Sequence, residues 1–462
     1  MQLTGHLIDP RVRKRARSLP GRNPRRGQLT GTWIDPRVRK RARSLGLAAT
    51  LVATALVAST GLAYADDRAE VSTAFFAEKR QGGAGSLTVL HPQALFGIDL
   101  GRFVGVDFGY AADVVSGATA SVYQVDAVSS ATKFYDVRHE GSVALALRGK
   151  RSRVGVTGSF GTERDYLSRT IGGNAAVDLP GRNTTIALAY THGFDQVCDR
   201  DNGMATPLEA RALTGGDPCA KSGVFAGQDT PGSTRWRDLD IDTGAVTLTQ
   251  NLSPTMNLQL ALFGQIEDGF QSNPYRRVRI GPNAPQEHVP ATRDRWAVSA
   301  RVNRYLPALH GALHFDGRFY NDTWGVTAGN VELAYSQYAG KSVLARVFAR
   351  GYQQTAATFF KDAFFYETES TAGEYFTGDR ELSPVRNLSL GAKLSIITIG
   401  EDARVWHLFD KLELDVRGEA MLIDVMAATR PADNPMGIDR QFLYGSSLVD
   451  NVTIQLGLLG SY

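Results

Sequence analysis

Cysteine is nearly absent from this chain of 462 residues, which has only Cys198 and Cys219. Neither has a histidine or another cysteine at the spacing that zinc sites require, so we expect no metal site. The sequence also lacks a nucleophile triad and a phosphate-binding loop, and its eight histidines form no group. These absences favour a protein that is not an enzyme, without excluding enzymatic activity.

The positive net charge of the chain is confined to its N-terminus. Residues 1–45 contain 13 Lys and Arg against two Asp, a net charge of +11, whereas the whole chain carries +4. Because residues 46–65 have no charged side chain, residues 66–462 carry a net charge of −7. This acidic balance removes the basic footprint of a nucleic-acid-binding protein, and we predict no nucleic-acid partner.

Residues 1–65 have the features of an export signal with an extended basic region. A weakly apolar run from Leu45 to Leu62 leads to Ala63-Tyr64-Ala65, a small-x-small cleavage site. The alternative is an uncleaved membrane anchor. Residues 2–19 recur nearly unchanged as residues 28–45, a duplication that says nothing about the fold. We predict a cleaved signal peptide and a mature protein of residues 66–462.

The two cysteines lie in a segment rich in Gly, Asp and Pro. In an exported protein, such a pair predicts one disulfide, Cys198–Cys219, that closes a loop. No cysteine lies near the predicted cleavage site, so a lipoprotein is not expected.

From residue 70 onward, apolar and polar residues alternate with the period of two that is typical of β-strands. The segment 411–422 shows the pattern clearly, because Leu412, Leu414 and Val416 share one face and charged residues occupy the other. Similar segments are 102–114, 183–194, 293–304, 311–320 and 342–352. The count predicts about 16 strands, or 14 if the two least certain segments, 69–80 and 170–180, are not strands.

Two features favour a membrane barrel over a soluble sandwich. The polar faces carry charges of both signs, which suits a wet lumen, while the opposite faces are apolar enough for lipid. Connections also alternate in length. Short ones are predicted near 100–102, 149–152, 180–183, 251–255, 306–310, 339–342 and 400–410, and mostly longer ones near 116–134, 164–171, 198–233, 271–292, 321–327, 359–383 and 427–446. This alternation of short and long connections predicts an all-β, antiparallel transmembrane β-barrel with short periplasmic turns and long outer loops.

The last predicted strand places Val452, Ile454, Leu456 and Leu458 on one face and ends on Tyr462. It resembles the terminal strand signal that the outer-membrane insertion machinery recognises. We therefore expect a Gram-negative outer-membrane protein with both termini in the periplasm. Its predicted partners are outer-membrane lipid and the insertion machinery.

The predicted lumen contains a row of basic residues. Arg301, Arg318, Arg346 and Arg350 are expected to form a ladder that faces the acidic row from Glu413 to Glu419. Such rows tune ion selectivity in pores. The alternative is a set of salt bridges that only stiffens the barrel.

One short motif resembles a site of covalent modification. The segment Asp113-Val-Val-Ser-Gly-Ala-Thr119 has the form D-x-x-S-G-A-T, like the acceptor motif to which a periplasmic FMN transferase attaches flavin through a phosphoester to the last threonine. The resemblance implies FMN at Thr119, with Asp113 and Ser116 helping to present it and with Gly117 and Ala118 leaving room for the enzyme. A weaker copy runs from Asp126 to Thr132, with Ser130 in place of the glycine.

Further segments resemble an uncharacterised family of bacterial outer-membrane barrels that is defined only as a domain of unknown function. They are Asn273–Arg276, Glu287–Arg293, Arg318–Gly325, Arg350–Gln354 and Ala357–Phe360. The resemblance implies a barrel that is associated with flavin transfer and with redox partners in the cell envelope. The chain departs from the family pattern at Phe319, Asn321 and Phe360.

The sequence leaves three functions open. The first is a flavinylated barrel that takes part in electron transfer across the envelope. The second is a porin-like channel or small-solute transporter, and the third is a structural or adhesion barrel whose outer loops contact surfaces.

Overall fold

The computed structural model describes residues 68–78, 87–118, 133–163, 166–199, 236–273, 278, 286–360, 373–399, 405, 409–425 and 451–461. Alternating apolar and polar residues, many of them β-branched or aromatic, favour extended chain throughout. Sixteen strands result: β1 (Arg68–Glu78), β2 (Leu87–Leu100), β3 (Val104–Ala118), β4 (Lys133–Arg148), β5 (Ser152–Thr162), β6 (Tyr166–Asp178), β7 (Thr184–Cys198), β8 (Trp236–Ser253), β9 (Met256–Gly269), β10 (Thr292–Leu306), β11 (Gly311–Asp322), β12 (Thr327–Ala339), β13 (Val343–Gln354), β14 (Val385–Ile399), β15 (Lys411–Val425) and β16 (Asn451–Ser461).

The strands form one closed antiparallel barrel in which each strand pairs with its neighbours in sequence. Closure comes from β1, which pairs with β2 on one side and with β16 on the other. A closed sheet leaves no edge with unpaired backbone groups, as lipid requires. The prediction of 16 antiparallel strands is confirmed, and the two least certain segments are the strands β1 and β6.

The outer surface of the barrel is apolar. Side chains that would be buried in a soluble protein are half exposed around the whole circumference, among them Val71, Phe96, Val156, Leu262 and Leu390. A continuous apolar belt is the surface that a barrel presents to lipid. Among the described residues, no helix is long and apolar enough to cross a membrane.

Short connections join the strands at the end of the barrel where Arg68 pairs with Ser461. They span residues 101–103, 149–151, 179–183, 254–255, 307–310 and 340–342. Gly101 and Gly340 have φ values of 74° and 68°, a left-handed conformation that glycine adopts without strain. We call this the turn end and the opposite one the loop end.

The loop end carries most of the longer connections, as predicted, but residues 163–165 and 323–326 are short connections there. Residues 400–410, predicted among the short connections, form the longest one at the turn end. The prediction of a connection near 164–171 is wrong, because β6 already begins at Tyr166. The Glu163 amide donates to the Tyr166 carbonyl at 2.8 Å, so β5 and β6 stay paired up to this point. Strand β3 also runs four residues beyond its predicted end, to Ala118.

Candidate functional site: a charged inner wall and its loop-end cap

The inner faces of β10 to β15 carry a dense set of ion pairs. Arg295 bonds Glu267 at 2.8 Å, and Arg301 bonds Asp316 at 2.7 Å. Arg346 lies 2.9 Å from Glu332, and Lys393 lies 2.8 Å from Asp415 on the next strand. The further pairs are Arg293–Asp322, Arg350–Glu419, Arg417–Glu419 and Lys411–Glu413. Most of these bridges join neighbouring strands, so they stiffen the wall.

Small residues on the inner face of β14 let one bridge skip a strand. Arg350 of β13 reaches Glu419 of β15, passing over β14. A Cβ atom at Gly391 of β14 would collide with the Phe348 ring, so this position requires glycine. The gap that Gly391 leaves is filled by the Phe348 ring, and the Arg417 guanidinium stacks 4.7 Å from its centre.

The predicted basic ladder is only partly realised. Arg350 does bond the acidic row of β15, but Arg301 and Arg346 bond Asp316 and Glu332 on strands next to their own. Arg318 has no ion pair within the described part of the chain, and its guanidinium lies 5.9 Å from the centre of the Phe263 ring. Most of the row is therefore a set of salt bridges, and one arginine, Arg318, is left over.

The two sides of the inner wall differ in charge. Side chains alternate between the two faces of a strand, so residues next to the exposed apolar ones face inward. On β9 to β15, these inward positions hold more basic than acidic residues. The basic ones are Arg293, Arg295, Arg301, Arg318, Arg346, Arg350, Lys393, Lys411 and Arg417, and the acidic ones are Glu267, Asp316, Asp322, Glu332, Glu413, Asp415 and Glu419. On β1 to β7, acidic residues outnumber basic ones on the inner face. The basic ones are Arg68, Arg138, Arg148 and Arg153, and the acidic ones are Glu70, Asp99, Asp107, Asp113, Glu140, Asp178 and Asp195. Such an arrangement produces an electric field across the lumen.

Three loop-end connections pack together into a small apolar core, which we call the cap cluster. Its members are Val289, Trp324, Val326, Ala357, Phe360 and Leu382. Trp324 is at its centre, 5.2 Å from the Phe359 ring, with its indole Nε1 donating to the Thr292 carbonyl at 2.9 Å. The connections thus form a folded unit of their own.

Polar contacts fasten the same connections to one another. The Glu287 carboxylate accepts a hydrogen bond from the Thr377 hydroxyl at 2.6 Å and one from the Asn273 amide at 2.7 Å. Backbone hydrogen bonds in both directions join His288 and Phe376. A hydrogen bond to Glu374 raises the pKa of Tyr375 above its usual value. Glu287 is buried, so its bonds offset a desolvation cost and fix the loops in one arrangement.

Asp322, at the end of β11, connects the cap cluster to the inner wall. One carboxylate oxygen accepts from Arg293 at 2.5 Å and from the Tyr320 hydroxyl at 2.7 Å, and the other accepts from the Val326 amide at 2.8 Å. The Arg293 guanidinium also stacks 4.1 Å from the Trp324 ring. Both oxygens of this buried carboxylate thus help to hold the cap cluster against the barrel.

Residues 381–383, shortly before β14, lie toward the inside of the barrel. The inward-facing Gln354 amide donates to the carbonyls of Glu381 and Ser383 at 2.8 and 2.7 Å. These two carbonyls therefore lie on the inner side of β13. The cap cluster, which includes Leu382, consequently covers part of the inner wall at the loop end.

The family-like segments meet in this region. Asn273, Glu287, Arg293, Trp324 and Phe360 come from four of the quoted segments and all contact the cap cluster or its polar frame. Of the departures from the family pattern, Phe360 is in the cap cluster, whereas Phe319 faces outward and stacks on Trp296 with ring centres 5.3 Å apart. Thr377 and Leu382 belong to the site too, although no sequence pattern indicated them.

The flavin-like motif lies at the loop end of β3. Asp113 faces inward and bonds His91 of β2 at 2.6 Å. Ser116, Gly117 and Ala118 belong to the strand and pair with β4, and Ser116 and Gly117 also pair with β2. Thr119, Asp126 and Thr132 lie outside the described residues. Residues 113–118 of the motif are therefore strand, whereas the sequence predicted a connection from about residue 116.

The predicted disulfide is only half within the described chain. Cys198 ends β7 and is fully buried, whereas Cys219 lies outside the described residues. The Cys198–Cys219 bond stays a prediction. Among the described residues, no group of three or more His, Cys, Asp or Glu side chains could hold a metal ion.

Comparison with known proteins gives one family and several distant barrels. The family model described as "Protein of unknown function (DUF3570)" matches residues 42–401. No curated protein matches the sequence significantly.

Three solved structures illustrate the distant barrels. CdiB from Acinetobacter baumannii is 9% identical, with a TM-score of 0.41, over 86% of this chain and 60% of CdiB, so the chain spans less than two thirds of that protein. A bacterial polysaccharide outer membrane secretin is 8% identical over 85% of this chain and 98% of its own, with a TM-score of 0.41. OccD3 (OpdP) of Pseudomonas aeruginosa is 9% identical over 87% and 92%, with a TM-score of 0.37. These similarities are too low to indicate a shared function.

Proposed function

We propose that this chain, which belongs to the DUF3570 family of proteins of unknown function, is an outer-membrane β-barrel whose charged lumen lets small solutes cross the membrane. The observation that carries the proposal is the contrast between the two faces of the sheet. Outside lies a continuous apolar belt, and inside lies a wall of paired charges. Charges on the inner face of a barrel can be hydrated by a water-filled lumen, whereas a dry core would have to bury them.

The uneven charge of the inner wall supports a passage for ions or polar solutes. A field across the lumen orients a charged solute and separates ions by sign. The cap cluster lies over the loop end of β10 to β14 and narrows the entrance there. In this proposal the N-terminal signal exports the chain, the insertion machinery recognises β16, and the loop end faces the exterior.

Single-channel recording in planar bilayers tests the proposal. Wild-type protein is expected to give discrete conductance steps. The Trp324→Ala variant removes the ring at the centre of the cap cluster, so its steps should be larger or more frequent. Trp296→Ala removes an outward-facing indole of β10 and serves as the matched control, with conductance like the wild type. Folded protein, recognised by heat-modifiable migration on gels, that never conducts in any of these forms would rule out a channel.

A second candidate function is that of a flavinylated barrel in envelope electron transfer. The motif Asp113–Thr119 is the observation that favours it, and the acceptor hydroxyl would be that of Thr119. Because Gly117 is paired on both sides, a transferase would have to act on the chain before the barrel closes. Periplasmic FMN transferase and envelope redox proteins would then be partners.

Co-expression with a periplasmic FMN transferase tests this second function. Flavin fluorescence on a denaturing gel is expected from the wild type and from Thr132→Ala, and it should vanish in Thr119→Ala. A dark wild-type band, or a fluorescent Thr119→Ala band, would contradict attachment at Thr119.

A further inference from the structure

We propose that Arg318 is an anion-binding residue of the lumen and that it takes the carboxylate of a small organic solute. The inference deepens the proposed passage of solutes and rests on it for its biological meaning. The binding itself can be measured independently of conduction.

Arg318 differs from the other inward-facing arginines of its wall. Six of them, on β10, β13 and β15, each bond a carboxylate. Arg318 has no carboxylate within 4.0 Å in the described part of the chain, and its guanidinium lies 5.9 Å from the centre of the Phe263 ring. An ionised side chain at membrane depth without a counter-ion is costly, and such residues commonly mark solute pathways.

The neighbours of Arg318 are already engaged elsewhere. Asp316, two residues away on the same face, accepts two bonds from Arg301, from its Nε at 2.8 Å and its terminal nitrogen at 2.7 Å. The hydroxyl of Tyr320 is donated to Asp322. The hydroxyl of Tyr352, on β13, is donated to Gln354. Arg301, Asp316 and Arg318 together thus leave one positive charge without a partner.

The backbone register shows how the Arg318 guanidinium comes near Phe263. Arg318 pairs with Ser299 of β10, and Phe263 of β9 pairs with Ala297 of the same strand. Since the inner face of β10 carries only these small side chains at this level, a long side chain from β11 can extend across it. The guanidinium therefore lies over a part of the wall that is lined by small side chains, with the Phe263 ring on the far side.

The ligand class follows from this charge and these neighbours. A guanidinium presents parallel N–H donors in a fork that matches a carboxylate. One uncompensated positive charge balances one carboxylate, whereas a phosphate dianion needs a second. The Phe263 ring offers an apolar contact for the body of the solute, so a monocarboxylate with an apolar or aromatic body fits best.

Binding of benzoate to the folded full-length protein in detergent tests the assignment by titration calorimetry, with benzamide as the uncharged probe. Benzoate is expected to bind and benzamide is not. Arg318→Gln should weaken benzoate binding about tenfold or more, because a charge-assisted pair is lost. Arg318→Lys should keep part of the affinity. Arg386→Gln makes the same chemical change on the outer face, where Arg386 bonds Asp424, and should leave binding unchanged.

Three results would overturn the inference: equal binding of benzoate by wild type and Arg318→Gln, equal binding of benzoate and benzamide, or tighter binding of inorganic phosphate than of benzoate. Conductance separates this inference from the proposed function. Wild-type channels without benzoate binding would remove the carboxylate site and leave the passage. Benzoate binding that depends on Arg318 in a protein that never conducts would support the site and remove the passage.

Discussion

Replacing Asp322 by alanine is expected to lower the free energy of unfolding by about 3–5 kcal/mol, the cost of breaking a buried ion pair by removing one partner. The Asp322 side chain is fully buried, and the Arg293 side chain is 11% exposed. Alanine would leave Arg293, the Tyr320 hydroxyl and the Val326 amide without their acceptor. Unfolding by guanidinium in detergent micelles, followed by tryptophan fluorescence, measures the change.

Asp424→Ala is the matched control for this prediction. Asp424 bonds Arg386 at 2.6 Å, a distance similar to that in the Arg293–Asp322 pair, but both side chains are at least half exposed. An exposed ion pair contributes about 1 kcal/mol or less, so the control should unfold nearly as the wild type does. If Asp322→Ala and Asp424→Ala had the same small effect, Asp322 would not be the link between the cap cluster and the barrel.

The strands and their two faces could be predicted because both depend on local sequence. Side chains on a strand alternate with a period of two, so Leu412, Leu414 and Val416 had to share a face wherever β15 lay in the sheet. The number of strands and the position of the turns follow from the same count.

The ion-pair partners could not be predicted, because they depend on register and on diagonal contacts. Glu332 lies directly opposite Arg350 in the β12–β13 pair, yet it bonds Arg346. Arg350 instead reaches Glu419 of β15 across β14. Only the three-dimensional arrangement shows which of several equivalent partners each arginine takes, and hence that Arg318 takes none of the described carboxylates.

The cap cluster was hidden from the sequence for a different reason. Its residues come from connections without periodicity, and the contacts join positions as far apart as Glu287 and Thr377. The family-like segments indicated some of its members, but not that they pack together.

The short connection 163–165 between β5 and β6 was also not predicted. Polar residues such as Glu163 and Arg164 suggested a longer loop, but the Glu163 amide donates to the Tyr166 carbonyl and β6 begins there.

Arginine substitutions at two adjacent residues of β5 are expected to differ strongly in their cost. Val156 faces outward and is 54% exposed, whereas Thr157 faces inward. In a bilayer, Val156→Arg should lower the free energy of unfolding by about 2–4 kcal/mol, because it places a cation at the middle of the apolar belt. Thr157 lies on the lumen face, opposite Ala144 of β4 and Gly172 of β6. Thr157→Arg should cost less than Val156→Arg, because an inward-facing cation stays in contact with water.

The most direct test of a lipid-facing belt around a wet lumen is the reversible unfolding of these two variants from phospholipid bilayers. A barrel with a lipid-facing belt and a wet lumen requires that Val156→Arg be less stable than Thr157→Arg, by more than the error of the measurement. Equal stability of the two variants, or a larger loss for Thr157→Arg, would contradict it.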